Sequence, residues 1–205
     1  MEDQVKVIGI TGGVGSGKSA LLAYIGGHYN CKILLADEAA HRVKEPGKPC
    51  YEKLTALLSK EILHKDGTID KGRMAAKIFS DEKLLAKVNA IIHPAVKELI
   101  LDEIGKEKEK GSIRFFFVEA ALLIEDGYLD IVDEMWYIYA DKEVRKKRLL
   151  SSRGYSEEKI DSIMATQLSE EEFRKYCKVV IDNSGSLLEA YGQIDQELEE
   201  GMKEK

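Results

Sequence analysis

Lys18 and Ser19 close the run Gly12-Gly13-Val14-Gly15-Ser16-Gly17-Lys18-Ser19, in which every fixed position of the spacing G-x-x-x-x-G-K-[ST] is filled. Such a run handles phosphate. Glycines admit positive φ and let the backbone approach an anion closely, so that successive N–H groups ring it where side chains would block the way. Lys18 can reach the β- and γ-phosphates as a point charge, and Ser19 can offer its hydroxyl to Mg²⁺. A helix opening at Lys18 aims its positive dipole end at the same anion. A nucleoside triphosphate is therefore expected on Gly13, Val14, Gly15, Ser16, Gly17, Lys18, Ser19 and Ala20.

Two acids stand where strands should end. Asp37 comes just after the apolar stretch Cys31-Lys32-Ile33-Leu34-Leu35, and Glu119 closes Arg114-Phe115-Phe116-Phe117-Val118. In an open α/β sheet the ligand crevice lies outside the carboxyl ends of the strands, so both acids are expected beside the phosphate loop. Asp37 suits catalysis at an acceptor there, or alternatively the capping of the helix Glu38–Val43. Glu119 suits Mg²⁺, directly or through water, or pairing with a neighbouring base. Further on, Arg145, Lys146, Lys147, Arg148 and Arg153 form a basic series. Arginines on a lid match phosphate oxygens with a planar fork of donors, while a solvated basic face accounts equally well for Arg145, Lys146 and Lys147. His93, directly before Pro94, is expected at a bend, where a lone histidine is more often packed or solvated than functional.

Positioning these side chains calls for strand, loop and helix in alternation. Val5–Ile10 reads as a strand, and Ser19–Ile25 as a helix that stops at Gly26-Gly27. From Pro46-Gly47 to Lys110 the pattern is mostly helical, with a turn at Asp66-Gly67, a helix at Arg73–Phe79 and a long helical region broken at His93-Pro94. Lys106–Lys110 reads as a solvated helix end. Strands at Arg114–Glu119, Glu134–Tyr139 and Lys178–Ile181 bring the parallel strands to five. Between the last two, Asp141–Lys175 reads as a helical hairpin, with helix starts at Ser156 and Ser169. The expected fold is phosphate-loop α/β: three α/β/α layers on a five-stranded parallel sheet, with a helical substrate-binding insertion and a helical lid. The core is placed at about 1–36, 112–140 and 176–205, the insertion at about 37–111 and the lid at about 141–175.

With 205 residues, 44% hydrophobic and 33% charged, the chain suits one α/β domain with room for insertions. A net charge of −6 provides no global attraction to nucleic acid or to an anionic membrane. Cys31, Cys50 and Cys177 are odd in number and widely spaced, which points away from disulfides and zinc and towards a reducing cytoplasm. No apolar run approaches the ~20 residues of a membrane span. Of two function classes, a guanine-nucleotide switch should carry N-K-x-D, which is missing. A lid with arginines favours phosphoryl transfer to a small acceptor, where closure keeps water out.

The succession of motifs resembles the dephospho-coenzyme A kinase family across nearly the whole chain. It runs from Ile8–Ser19 through Ala36-Asp37, Glu45-Pro46-Gly47, Asp66-Gly67, Ile78-Phe79 and Ile92-His93-Pro94. It continues with Leu122-Leu123-Ile124-Glu125, Arg148-Leu149 with Arg153, Ala165-Thr166-Gln167 and Val180–Gly185. The resemblance implies Mg²⁺-assisted transfer of the γ-phosphoryl group of ATP to the ribose 3′-hydroxyl of dephospho-coenzyme A. It assigns Lys18, Asp37 and Arg148 to catalysis, with Asp37 orienting and finally deprotonating the hydroxyl. His93 and Leu122 fall on the acceptor side, Arg148 and Arg153 on the lid, and Asn183 on the adenine side. A nucleoside monophosphate kinase is the alternative. The chain departs from the family pattern at Leu35, where an aspartate is usual, and at Glu119-Ala120-Ala121, which replaces Asp-x-Pro. It also departs at Cys177-Lys178 and in the spacing of the lid arginines.

Overall fold

Val7, Ile8 and Ile10 are buried together with Gly9 and Thr11, as a central strand covered on both faces requires. The computed structural model describes residues 5–79 and 81–203. In it, β1 (Lys6–Thr11) is the middle of a five-stranded parallel sheet with β2 (Cys31–Leu35), β3 (Phe115–Glu119), β4 (Glu134–Tyr139) and β5 (Val179–Asp182), in the order β2-β3-β1-β4-β5. The register sets Ile10 opposite both Glu119 and Trp136, so β3 delivers its terminal acid level with the last turn of chain before the loop. Phe116, Phe117 and Trp136 are fully buried, and the Phe117 and Trp136 rings meet edge to face at 6.2 Å.

The chain divides into two compact units, one built from residues up to Ile33 and from Glu107 onward, the other from Leu34–Lys106. In the first, α1 (Lys18–His28) follows the loop. It does not stop at Gly26-Gly27 as expected. Tyr29 N–H still bonds Ile25 O, and burial of Leu21, Leu22 and Ile25 outweighs the cost of about 1 kcal/mol per helical glycine. The rest of this unit comprises α6 (Lys142–Arg153), α7 (Glu157–Ala165), α8 (Glu170–Tyr176) and α9 (Leu187–Lys203), in addition to the end of α5 (Glu82–Lys110). The expected helical hairpin is thus three helices. Ser156 caps α7, and Ser169 with Glu172 forms a reciprocal capping box on α8. Tyr24 of α1 stacks on Tyr191 of α9 at 3.9 Å, and the Tyr24 and Tyr29 hydroxyls both donate to Asp195.

The second unit holds α2 (Ala36–Arg42), α3 (Pro49–Leu58), α4 (Lys71–Ile78) and most of α5 (Glu82–Lys110). The expected break at His93-Pro94 is absent, because α5 runs through Pro94. Val88, Val96, Ile100 and Ile104 form a buried stripe at helical spacing that holds the helix across the one bond Pro94 cannot donate. The far end of α5 also differs from a solvated terminus. Glu107 is buried, and its carboxylate accepts from Lys32 at 3.0 Å and from Lys110 at 2.9 Å.

Candidate active site

The loop between β1 and α1 is held open by its neighbours. Gly17 caps α1 with φ +91°, and no side chain caps the helix. A Cβ at Gly17 would run into Asn183 Nδ2, so glycine is required by both conformation and space. Asn183, buried just beyond β5, donates Nδ2 to Ser16 O at 2.7 Å. From α6, Arg148 donates to the same carbonyl at 3.3 Å and to Asn183 O at 2.9 Å. Ser16 N–H bonds Gly13 O, while the amides of Gly15, Gly17 and Ser19 make no bond among the described residues. Carbonyls engaged and amides left over make a surface that attracts anions. Ser16 Oγ and Asn183 Oδ1 are buried without a hydrogen-bond partner, two orphaned polar atoms beside the loop.

Lys18 Nζ donates to Gly12 O at 2.8 Å and lies 3.6 Å from Glu119 Oε1, with both side chains largely shielded. The charge that phosphate would meet is thus stored against the carboxylate at the end of β3. Ser19 is exposed on the first turn of α1. Thr11 Oγ1 donates to Ala121 O at 3.4 Å, which fastens the segment after Glu119 to the end of β1, with Leu122 exposed next to it.

Arg145, for which a lid and a solvated face were equal expectations, lies against the phosphate loop. Its Nε donates to Val14 O at 2.8 Å and its NH2 to Gln167 Oε1 at 2.6 Å, while Val14 N–H donates to that same oxygen at 3.1 Å. The guanidinium lies against Gly13, where any Cβ would collide with it, and burial pushes its pKa down. Arg145 is therefore part of the site, whereas Lys146 pairs with Asp161 at 2.6 Å and Lys147 is exposed. The i, i+3 spacing of Arg145 and Arg148, which places both on one face of α6, was the available signal. Gln167 lies in one of the family-like strings, but nothing local assigns it a contact with the loop. Arg153 ends α6, and its side chain lies outside the described residues.

The first unit thus gathers Gly13, Val14, Gly15, Ser16, Gly17, Lys18, Ser19, Ala20, Glu119, Leu122, Arg148 and Asn183. Asp37 and His93 belong to the second. Asp37 is exposed in the first turn of α2, whose N-cap is Leu35 with no side-chain cap bond, so the structure gives Asp37 no capping role. His93 is half-buried in the interior of α5.

Ser19 and Glu119 would contribute one hydroxyl and one carboxylate to a metal, an all-oxygen set that suits a hard divalent cation. Among the described residues no group of three or more His, Cys, Asp or Glu could hold an ion by itself. A divalent ion held by Ser19 and Glu119 would keep coordination positions open to phosphate and water.

Comparison with known proteins gives consistent matches. Residues 6–189 match the family model described as CoaE, dephospho-CoA kinase. The chain is 37% identical over 196 residues to the dephospho-CoA kinase of Aquifex aeolicus, covering 96% of this chain and 97% of that one. It is 35% identical over 188 residues to that of Carboxydothermus hydrogenoformans, covering 92% and 90%. Among solved structures, TT1252 from Thermus thermophilus superposes with a TM-score of 0.78 at 30% identity, covering 96% of this chain and 98% of that one. The dephospho-CoA kinase from Campylobacter jejuni, at 23% identity, shares the fold with a TM-score of 0.72 over 98% and 99% of the two chains.

Proposed function

The chain belongs to the dephospho-CoA kinase family and carries out ATP-dependent phosphorylation of dephospho-CoA, and we propose that Lys18, Asp37 and Arg148 serve its catalytic centre. The observation that supports this most directly is the loop itself: unbonded amides, a shielded lysine, and two arginines of α6 with Asn183 gripping its carbonyls. In this proposal the amides and Lys18 bind the β- and γ-phosphates, and Arg145 and Arg148 hold the loop in the shape that receives them. Asp37 holds the ribose 3′-hydroxyl in line and takes its proton late, because a loose, metaphosphate-like transition state needs little early deprotonation. The divalent ion is taken to be Mg²⁺, held by Ser19 and by Glu119 directly or through water. When bound it neutralises charge on the phosphate oxygens. Leu122 and His93 are assigned to the acceptor, and Asn183 to the adenine side of ATP. The acceptor-binding segment is proposed at about 37–111 and the lid at about 141–175.

A reducing cytoplasm is part of the same proposal. Cys31, Cys50 and Cys177 are all free thiols, and burial pushes Cys177 up to about 12. Incubating the purified protein with Mg-ATP and dephospho-CoA, then weighing the products by mass spectrometry, tests the activity. One added phosphoryl group on dephospho-CoA is expected. Phosphorylation of nucleoside monophosphates with dephospho-CoA left untouched would replace this function.

A further inference from the structure

Within the second unit, α2, the turn after it and the start of α4 border a cavity of about 150 Å³, lined among others by His41, Lys44, Glu45, Thr68 and Lys71. Three of these side chains are nitrogen bases, against the single carboxylate of Glu45. His41 Nε2 and Lys71 Nζ are 2.8 Å apart. An ammonium cannot accept, so Lys71 donates, and His41 is the neutral tautomer with its proton on Nδ1. Neither Lys44 nor Lys71 forms an ion pair among the described residues. Burial and the Lys71 charge push the Lys44 ammonium down. Burial, Lys71 and Lys44 do the same to His41, against smaller opposing pulls from Asp37 and Glu38. Asp37 pulls Lys44 the other way, but two ammonium groups outnumber the one carboxylate in the lining, and an excess of positive charge in a cavity is what an anion relieves.

We infer that this cavity is the subsite for the diphosphate of the acceptor, with Lys44 and Lys71 as its charged donors and His41 as the group that positions Lys71. The inference rests on Asp37 receiving the ribose 3′-hydroxyl. Asp37, His41 and Lys44 follow at i, i+4 and i+7, along one face of α2 and the turn that prolongs it. One turn of helix rises about 5.4 Å. In dephospho-CoA the diphosphate hangs from the exocyclic ribose carbon, whose ring neighbour adjoins the carbon bearing the 3′-hydroxyl. Groups that close together on one molecule match acid and bases that succeed each other by a helical turn.

Calorimetric titration of the full chain with dephospho-CoA and, separately, with ATP tests the assignment. Lys44→Met and Lys71→Met should each raise the dissociation constant for dephospho-CoA about tenfold or more, the loss expected for a charged contact, and leave that for ATP unchanged. Lys71→Arg should stay near the parent, and inorganic pyrophosphate should displace dephospho-CoA when ADP saturates the nucleotide site. Unchanged dephospho-CoA binding in both methionine variants overturns the subsite. If Lys44→Met lowers the melting temperature, Lys71, exposed on the first turn of α4, carries the test with Lys71→Met and the reversal Lys71→Glu. Asp37→Asn separates the two readings. Normal turnover there, with weakened binding in the lysine variants, removes the catalytic role of Asp37 and keeps the subsite. Lost turnover there, with lysine variants that bind normally, does the reverse.

Discussion

Lys18 and Asp37 are the two residues on which the proposed chemistry depends, and they call for different tests. Lys18→Ala removes the one loop charge that can follow the transferring group. Turnover should fall by about 10²–10³-fold, as when a preorganised donor to transition-state charge is lost. Wild-type turnover would remove Lys18 from the centre. Ser19→Ala should differ by being partly rescued at higher metal concentration, since on this proposal it loses an ion ligand rather than a phosphate contact. Asp37→Asn keeps the shape but loses charge and basicity. We expect a large fall in kcat with both substrates still bound. Because Leu35 is the N-cap of α2, the melting temperature should hardly move, the usual result for an exposed substitution. A variant that turns over normally would exclude the catalytic role.

Helix α6 and its companions act on the loop as elements. An arginine that works only in a closed state has no reason to touch the loop beforehand, yet Arg148 already donates to Ser16 O and Asn183 O. Arg148→Ala is therefore expected to weaken ATP binding together with turnover, and a fall in kcat at unchanged ATP affinity would assign it to the transition state alone. Gln167→Ala frees the Val14 amide and one Arg145 nitrogen while leaving the Arg145 bond to Val14 O, so nucleotide affinity should change in a way that the neighbouring Thr166→Ala does not reproduce. Further along, the Ser169 N–H and hydroxyl hold the Glu172 carboxyl below its usual range. A depressed carboxylate stabilises above its unfolded pKa of about 4.5, and that stabilisation is lost as pH falls through the lower folded value. Hydrogen exchange in α8, corrected for its intrinsic rate, should accelerate on acidification below about pH 4.5. Glu172→Gln keeps the capping box and should flatten that dependence.

At the scale of the whole molecule, the three thiols report on folding. Cys50 and Cys177 are buried and Cys31 is half-buried, so brief alkylation of the native protein should modify Cys31 first and denaturant should expose all three, as counted by intact mass. Fewer than three labels after unfolding under non-reducing conditions would mean that a disulfide had formed. The phosphate loop, the five strands and the acid that ends β3 were legible in the residues, because strand burial, glycine φ and capping chemistry are decided by consecutive side chains. Local chemistry did not decide whether Pro94 would break α5, since a stripe of buried residues on either side of it outweighs one missing bond. Nor did it separate Arg145 from Lys146, whose partners, Val14 and Asp161, lie on different parts of the fold. Arg145 to Val14 spans 131 residues and Asn183 to Ser16 spans 167. Local sequence therefore determined which elements form and which residues can do chemistry. Only the tertiary structure decided which of those residues meet, because a contact across such separations depends on the packing of every element between them.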